Sequence, residues 1–291
     1  MARRLEIMPK EERVVQEVPT KPCYYWRISL YNRYLHAMVI VSFLGLVATG
    51  MPLKFSYAPW AIWLSHFIGG FQVAGVFHRF FAIITFLYFG MHIGYLAYRL
   101  LVQKETTLFW GPTSMVPQPR DIVEMYRHFR WFFGLGPRPR FGRFTYWEKF
   151  DYWAVFWGIA VIGTSGLFLW FPTFFARFFP GWVFNIALII HSDEALLAAA
   201  FIFTVHFYNS HLRLERFPFD PVIFTGRITE HEMKEERPAE YERLLKEEKG
   251  LEGYRAEPPP LWLQNFSWVV GITALVLGLI FICLILIALL F

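Results

Sequence analysis

The chain lacks several features that define other classes of protein. Of its 291 residues only 18% are charged, and only two are cysteines, Cys23 and Cys283. Two distant cysteines cannot form an iron–sulfur or zinc centre, and no CxxCH sequence is present to attach a c-type haem. No glycine-rich phosphate loop follows a predicted strand. Any cofactor must therefore be held by side chains other than cysteine.

Apolar residues are abundant instead. Hydrophobic residues make up 56% of the chain and aromatic residues 20%, which is too apolar for an ordinary soluble domain. Five stretches are long enough to cross ~30 Å of hydrocarbon as helices. They are residues 34–52, 73–101, 152–171, 182–211 and 266–291. We therefore predict an all-α membrane protein, with a four-helix transmembrane bundle and a fifth, C-terminal transmembrane helix.

The basic residues are unevenly placed. Of the 28 Lys and Arg, seven precede the first span, nine lie from Arg99 to Lys149 and nine from Arg213 to Arg255, which places 25 on one side of a five-span arrangement. The positive-inside rule makes that side cytoplasmic, with the N-terminus inside and the C-terminus outside a bacterial inner membrane. The charged start has no apolar stretch typical of a cleavable signal peptide. This placement on one side of a membrane accounts for the basic charge, so membrane lipid is an expected partner and nucleic acid is not.

The same pattern predicts four regions: a cytoplasmic arm (1–30), a four-helix transmembrane bundle (31–212) with a cytoplasmic loop (103–149), a charged cytoplasmic region (213–262) and a membrane anchor (263–291). An amphipathic helix is predicted at 121–133. In the charged region, Thr229 and Glu232 form a capping-box pattern, and Pro238 should interrupt the helix that follows.

Two spans each carry a pair of histidines. His78 and His92 are 14 residues apart, and His191 and His206 are 15 apart. At ~100° and ~1.5 Å per residue, each pair faces one side of its helix and spans roughly 21–22 Å. Ionisable groups inside a membrane are costly, and neutral imidazole is a common axial ligand of haem. We predict two b haems, with His78 facing His191 near the outside and His92 facing His206 near the cytoplasm.

His36 and His211 lie further toward the cytoplasmic side, and several roles remain open for them. They would ligate a third haem, bind quinone or a haem propionate, or simply lie at the membrane interface. Alternatively, His36 rather than His92 pairs with His206. The number of b haems is therefore two or three.

Charged residues near the histidines are further candidates for the site. Asp193 and Glu194 lie two and three residues after the outer ligand His191, and they would accept the protons that a quinol releases. Alternatively, they hydrogen-bond to the helix backbone or to groups of the haem pocket. Haem propionates would pair with arginines near each haem. These arginines are Arg79 at the outer haem and Arg33, Arg99 and Arg213 at the inner one. Alternatively, Arg79 pairs with Asp193 or Glu194, and arginines at span ends act only as topology signals.

Three known groups resemble this chain over about residues 30–245. The four-histidine pattern resembles cytochrome b of the quinol–cytochrome c oxidoreductases. Residues 31–36, YNRYLH, with the later TGMPLKF, resemble the membrane subunits of formate dehydrogenases and nickel–iron hydrogenases, in which a first-helix histidine ligates haem. The segments RFTYWEKFDYWAVFWG, IIHSDEALLA and HFYNSHLRLERFPFDPVIFTG are most similar to bacterial cytochrome b subunits that accompany multihaem c-type cytochromes.

The resemblance implies an electron-transfer subunit of a quinone-linked respiratory complex. Its substrate would be menaquinone or ubiquinone, and its redox partner a multihaem cytochrome c or an iron–sulfur protein. One alternative is a hydrogenase or formate dehydrogenase subunit that delivers electrons to quinone. Two others lack a redox role: a haem-free proton or ion transporter, and a structural anchor for a peripheral oxidoreductase.

Overall fold

Five membrane-crossing helices dominate the structure, a computed structural model that describes residues 22–291. Most of the predicted arm, residues 1–21, lies outside the described residues. The five spans are Leu30–Lys54, Phe71–Leu101, Tyr146–Trp170, Trp182–Leu212 and Leu261–Leu290. The predicted all-α, multi-pass membrane fold is confirmed.

The first two spans form a helical hairpin. Helix α1 (Leu30–Lys54) begins at Ser29, whose hydroxyl accepts a hydrogen bond from the backbone N–H of Asn32. The short helix α2 (Pro59–Ile68) ends at two glycines, Gly69 and Gly70, with φ of 112° and 101°. Other residues rarely adopt this backbone conformation, and here it turns the chain into helix α3 (Phe71–Leu101), which packs along α1.

The third and fourth spans both contain π-helical turns. After helix α4 (Pro119–Phe132), the third span consists of α5 (Tyr146–Gly158), a π-helical segment and α6 (Thr164–Trp170). A short helix α7 (Pro172–Phe175) precedes the fourth span, which begins as α8 (Trp182–Phe201). The fourth span continues through the π-helical segments Ile202–His206 and Tyr208–Leu212.

The charged region folds into short helices before the last span. They are α9 (Val222–Thr225), α10 (Glu230–Glu236) and α11 (Pro238–Leu245), followed by α12 (Leu261–Leu290). The capping box predicted at the start of α10 is present, since Thr229 and Glu232 exchange side-chain to backbone hydrogen bonds. Pro238 ends α10 and begins α11, as expected.

A small antiparallel sheet, which the sequence did not predict, joins distant segments. Strand β1 (Tyr24–Trp26) lies between β2 (Arg227–Thr229) and β3 (Arg255–Ala256). Beside it, the carboxylate of Glu148 pairs with Arg27 at 3.3 Å and with Arg237 at 2.9 Å. Each of the three basic regions contributes one of these residues, so all three lie on the same side of the bundle.

The fifth span packs against the others rather than standing apart. A Cβ added at Gly271 would lie 2.2 Å from the ring of Phe219, and one added at Gly278 would lie 2.5 Å from that of Phe207. The glycines therefore allow close approach of α12 to the fourth span and to the segment after it. By contrast, only 6% of the residues in the most apolar 18-residue stretch of span two, and likewise of span three, are buried, which leaves their surface for lipid, cofactor or partner helices.

Candidate functional site

The outer histidine pair is brought together as predicted by spacing. The imidazole rings of His78, on α3, and His191, on α8, have centroids 6.1 Å apart and planes at 78° to each other. A metal–imidazole bond of about 2.0 Å puts each ring centroid about 3.1 Å from the metal, so two axial imidazoles have centroids about 6.3 Å apart. The observed separation therefore fits one iron between the two rings.

Hydrogen bonds fix the tautomer of each outer histidine. Nδ1 of His191 donates to the carbonyl of Ile162 at 2.9 Å. Nδ1 of His78 lies 3.0 Å from the hydroxyl of Thr49, which itself donates to the carbonyl of Gly45 at 2.7 Å and thus accepts from the ring. With the proton on Nδ1, each ring has a free Nε2 lone pair, as an axial ligand requires.

Two glycines make room for these rings. A Cβ added at Gly50 of α1 would lie 2.8 Å from Cε1 of His78, and one added at Gly166 of α6 would lie 2.9 Å from Cε1 of His191. Each of these two histidine rings therefore lies against bare helix backbone. By contrast, Gly75, three residues before His78 on α3, has no neighbour within 4 Å of an added Cβ.

The inner histidine His206 has a charged partner. Its Nδ1 lies 2.9 Å from Oδ2 of Asp151 on α5, which accepts the proton of the ring. Nε2 of His206 is thus left with a free lone pair. His36 on α1 lies within electrostatic range of His206, and α1 packs against the fourth span where Phe43 meets Phe203 with ring centroids 5.7 Å apart.

His92 lies against the third span, although the sequence predicted that it faces His206. Its Nε2 is 2.8 Å from the hydroxyl of Tyr152, and its ring also contacts Phe156 with centroids 5.9 Å apart. Its Nδ1 is buried with no partner among residues 22–291. The nitrogen that ligates most readily is therefore already used in a hydrogen bond.

His211 has the opposite tautomer to His78, His191 and His206. Its Nδ1 accepts the backbone N–H of Asp220 at 3.2 Å, and its ring stacks on Phe219 with centroids 5.0 Å apart. A neutral ring that accepts at Nδ1 has its proton on Nε2. This tautomer has no free lone pair for iron, even though the ring centroid is 6.4 Å from that of His206.

The two outer carboxylates differ in their surroundings. Asp193 is 64% exposed and accepts a hydrogen bond from Nζ of Lys54 at 2.7 Å. Glu194 is half-buried on the same helix. Arg79 is exposed on α3. The adjacent acids thus differ, since Asp193 is exposed in an ion pair and Glu194 is half-buried.

The inner arginines are only partly paired. Arg99 donates to Glu105 at 2.8 Å, while Arg213 lies over the ring of Trp147 and 3.6 Å from Glu236. Burial lowers the pKa of Arg213, and the nearby Glu236 opposes that shift. The buried Nε atoms of Arg33 and Arg213 have no partner among the described residues. Arg33 and Arg213 therefore retain donors that an anionic group could use.

Sequence reasoning missed the residues that orient the ligands. Thr49, Gly50, Asp151, Ile162 and Gly166 carry no local pattern of their own, and no signal in a single sequence identifies them. Among residues 22–291, no group of three or more His, Cys, Asp or Glu forms a bare-ion site. The arrangement instead suits a group that brings its own equatorial ligands and needs only two axial ones.

Comparison with known proteins points the same way. No family model matches the chain. It is similar to the cytochrome b556(Fdn) subunit of the nitrate-inducible formate dehydrogenase of Escherichia coli K12, with 23% identity over 228 residues that cover 76% of this chain and 92% of the relative. The corresponding subunits of Escherichia coli O157:H7 and Shigella flexneri match with the same identity and coverage. The predicted resemblance to formate dehydrogenase cytochrome b subunits is confirmed.

Proposed function

We propose that this chain is a cytochrome b subunit that binds two b haems and carries electrons between a membrane quinone and a redox partner subunit. The observation that supports it most directly is the outer pair, with ring centroids 6.1 Å apart and both Nδ1 atoms hydrogen-bonded. The similarity to a cytochrome b subunit is independent support. A bound b haem supplies reversible one-electron exchange at its iron.

The outer haem would be held by His78 and His191, and the inner one by His206 and His36. We prefer His36 to His92 because Nε2 of His92 is hydrogen-bonded to Tyr152. We prefer two haems to three because His211 accepts a backbone N–H at Nδ1. Arg33 and Arg213, with buried unpaired Nε atoms, are the arginines best placed to bind the inner propionates.

The protein's own groups would fix the ligand rings and handle the protons of the quinone. Thr49 and Ile162 hold the outer rings in the tautomer that leaves Nε2 free. We propose Glu194 as the proton acceptor, since the neighbouring Asp193 is already paired with Lys54. A proton on Asp193 would weaken that ion pair.

We propose that the shared basic side faces the cytoplasm of a bacterial inner membrane and the C-terminus the outside. The side that holds the small sheet carries the predicted excess of Lys and Arg, and the positive-inside rule then gives the orientation.

A second candidate assigns the direction of electron flow. The relatives are subunits of a formate dehydrogenase, which favours a complex that delivers electrons to quinone from a partner dehydrogenase. The multihaem cytochrome c partner stays a prediction, supported only by the sequence resemblance. Purification of the intact complex and identification of its subunits distinguishes the two partners.

The haem assignment is tested by counting b haems per chain with the pyridine haemochrome assay. Two are expected in the wild type, and one in each alanine variant of His78, His191, His36 and His206. His92→Phe should keep two, and the exposed His66→Ala serves as a matched control.

Each other outcome has a defined meaning. A wild type without haem would overturn the proposal and favour a transporter or a structural anchor. Loss of the inner haem in His92→Phe but not in His36→Ala would reverse the inner assignment. Three haems, falling to two in His211→Ala, would restore the third site.

A further inference from the structure

The three histidines with a hydrogen-bonded Nδ1 and a free Nε2 have partners of different charge. His78 bonds to a hydroxyl, His191 to a backbone carbonyl and His206 to the carboxylate of Asp151, at 3.0, 2.9 and 2.9 Å. Only the inner ligand therefore has an acceptor that carries a full negative charge. The difference lies within one chain, so the two haem sites can serve as controls for each other.

No cation neutralises this carboxylate within residues 22–291. Its one ion-pair contact there is His206 itself, and its Oδ1 is buried without a partner. Lys149, two residues earlier on α5, is not available, because its Nζ lies 2.8 Å from both carboxylate oxygens of Asp121. The negative charge of Asp151 thus acts mainly on the imidazole.

A carboxylate at Nδ1 makes the imidazole a stronger electron donor at Nε2. The stronger donor stabilises the ferric over the ferrous state, and a negative charge in a medium of low dielectric constant acts in the same direction. A neutral acceptor has neither effect to the same degree.

We propose that Asp151 is a positioning residue that lowers the reduction potential of the inner haem through its hydrogen bond to His206. The inference rests on the proposed function, because it requires that His206 ligates iron. It goes further by naming the side chain that makes the two haems electronically different.

The test is a redox titration of the purified complex, followed at the haem absorption bands, for Asp151→Asn and Asp151→Glu. Asparagine retains an acceptor of similar shape but removes the charge. At a fixed ambient potential, Asp151→Asn should raise the reduced-to-oxidised ratio of the inner haem at least tenfold. This equals a rise in its reduction potential of about 59 mV for a one-electron couple. The other haem should not shift. Asp151→Glu should stay close to the wild type.

Two further variants separate this role from a general loss of charge. Glu242→Gln removes an exposed acid on the same side of the bundle, paired with Arg140, and should shift neither haem. Thr49→Val removes the neutral acceptor at His78 and should alter the outer haem alone, since His206 keeps its carboxylate.

Unchanged potentials in Asp151→Asn, with both haems present, would overturn the proposal while leaving the haem assignment intact. If the asparagine variant does not keep two haems, Asp151→Ser takes its place as the uncharged form. Loss of the inner haem in both uncharged variants, but not in Asp151→Glu, would overturn tuning in favour of a purely structural role. A wild type without haem is the separate failure of the proposed function.

Discussion

Gly166→Ala should weaken the outer haem site while leaving the fold in place. The added Cβ would lie 2.9 Å from Cε1 and 3.2 Å from Nδ1 of His191, whereas ordinary contacts begin at 3.4 Å. The ring must therefore move by about 0.5 Å, which exceeds the tolerance of roughly 0.2 Å for metal–ligand distances. Without haem the ring can rotate away, but with haem it is held at both Nε2 and Nδ1.

The expected cost lies in haem affinity. Overpacking costs about 1–3 kcal/mol, which corresponds to roughly 5- to 150-fold weaker binding. The assay is the loss of haem from the purified protein to an apo-globin acceptor, with the remaining haem assigned by its redox potential. Only the outer haem should be lost faster than in the wild type.

Gly94→Ala is the matched control, since it makes the same change within a helix, its added Cβ meets nothing within 4 Å, and it lies 16 residues, about 24 Å along α3, from His78. Both variants gain similar helix propensity, so that effect cancels. Equal retention of the outer haem in Gly166→Ala and Gly94→Ala would refute the argument that His191 needs the bare backbone of Gly166.

Two further predictions concern the side of the bundle that holds the sheet. Burial among aromatic rings lowers the pKa of His128 from its usual 6.5 to about 4, and the charges of Arg138 and Arg213 act in the same direction. The folded state therefore binds the proton less readily than the unfolded state, so stability is fully present above pH 6.5 and is lost as the pH falls toward 4. The melting temperature should therefore fall more between pH 7 and pH 4.5 in the wild type than in His128→Phe, and equal falls would contradict this. Lys149→Met leaves the buried Asp121 without its cation and should cost about 3–5 kcal/mol, against less than about 1 kcal/mol for Lys234→Met in its exposed pair with Glu230. Both losses are measured by thermal unfolding in detergent, and equal losses would show that the Asp121 pair is not effectively buried.

Hydropathy and capping patterns were sufficient for the architecture. Long apolar runs decide spans because the bilayer leaves few alternatives, and the predicted capping box at Thr229 depends only on residues three apart. The small sheet could not be predicted, since β1 and β3 are two or three residues long and each pairs with a distant segment. Pairing of that kind has no local signal.

Helical spacing located the outer pair but not the inner geometry. The prediction for His78 and His191 relied on regular α-helix, and the structure brings those two rings together. Between His191 and His206, however, the helix passes through the π-helical segment Ile202–His206, which changes the direction of the later side chains. The rotation computed from 3.6 residues per turn therefore does not apply to His206, and the contact of His92 with Tyr152 was not foreseen.

The small sheet has a consequence for the order of events during synthesis. Its middle strand, β1, precedes the first span, yet β1 pairs with β2 and β3, which are made only after four spans have left the ribosome. Tyr24 must wait for Thr229, 205 positions later, and for Ala256 after that. Because domains form largely as the chain emerges and distant pairing is slow, the four-helix bundle is inserted before this side closes. The sheet can therefore close only on a bundle whose four helices have already been made.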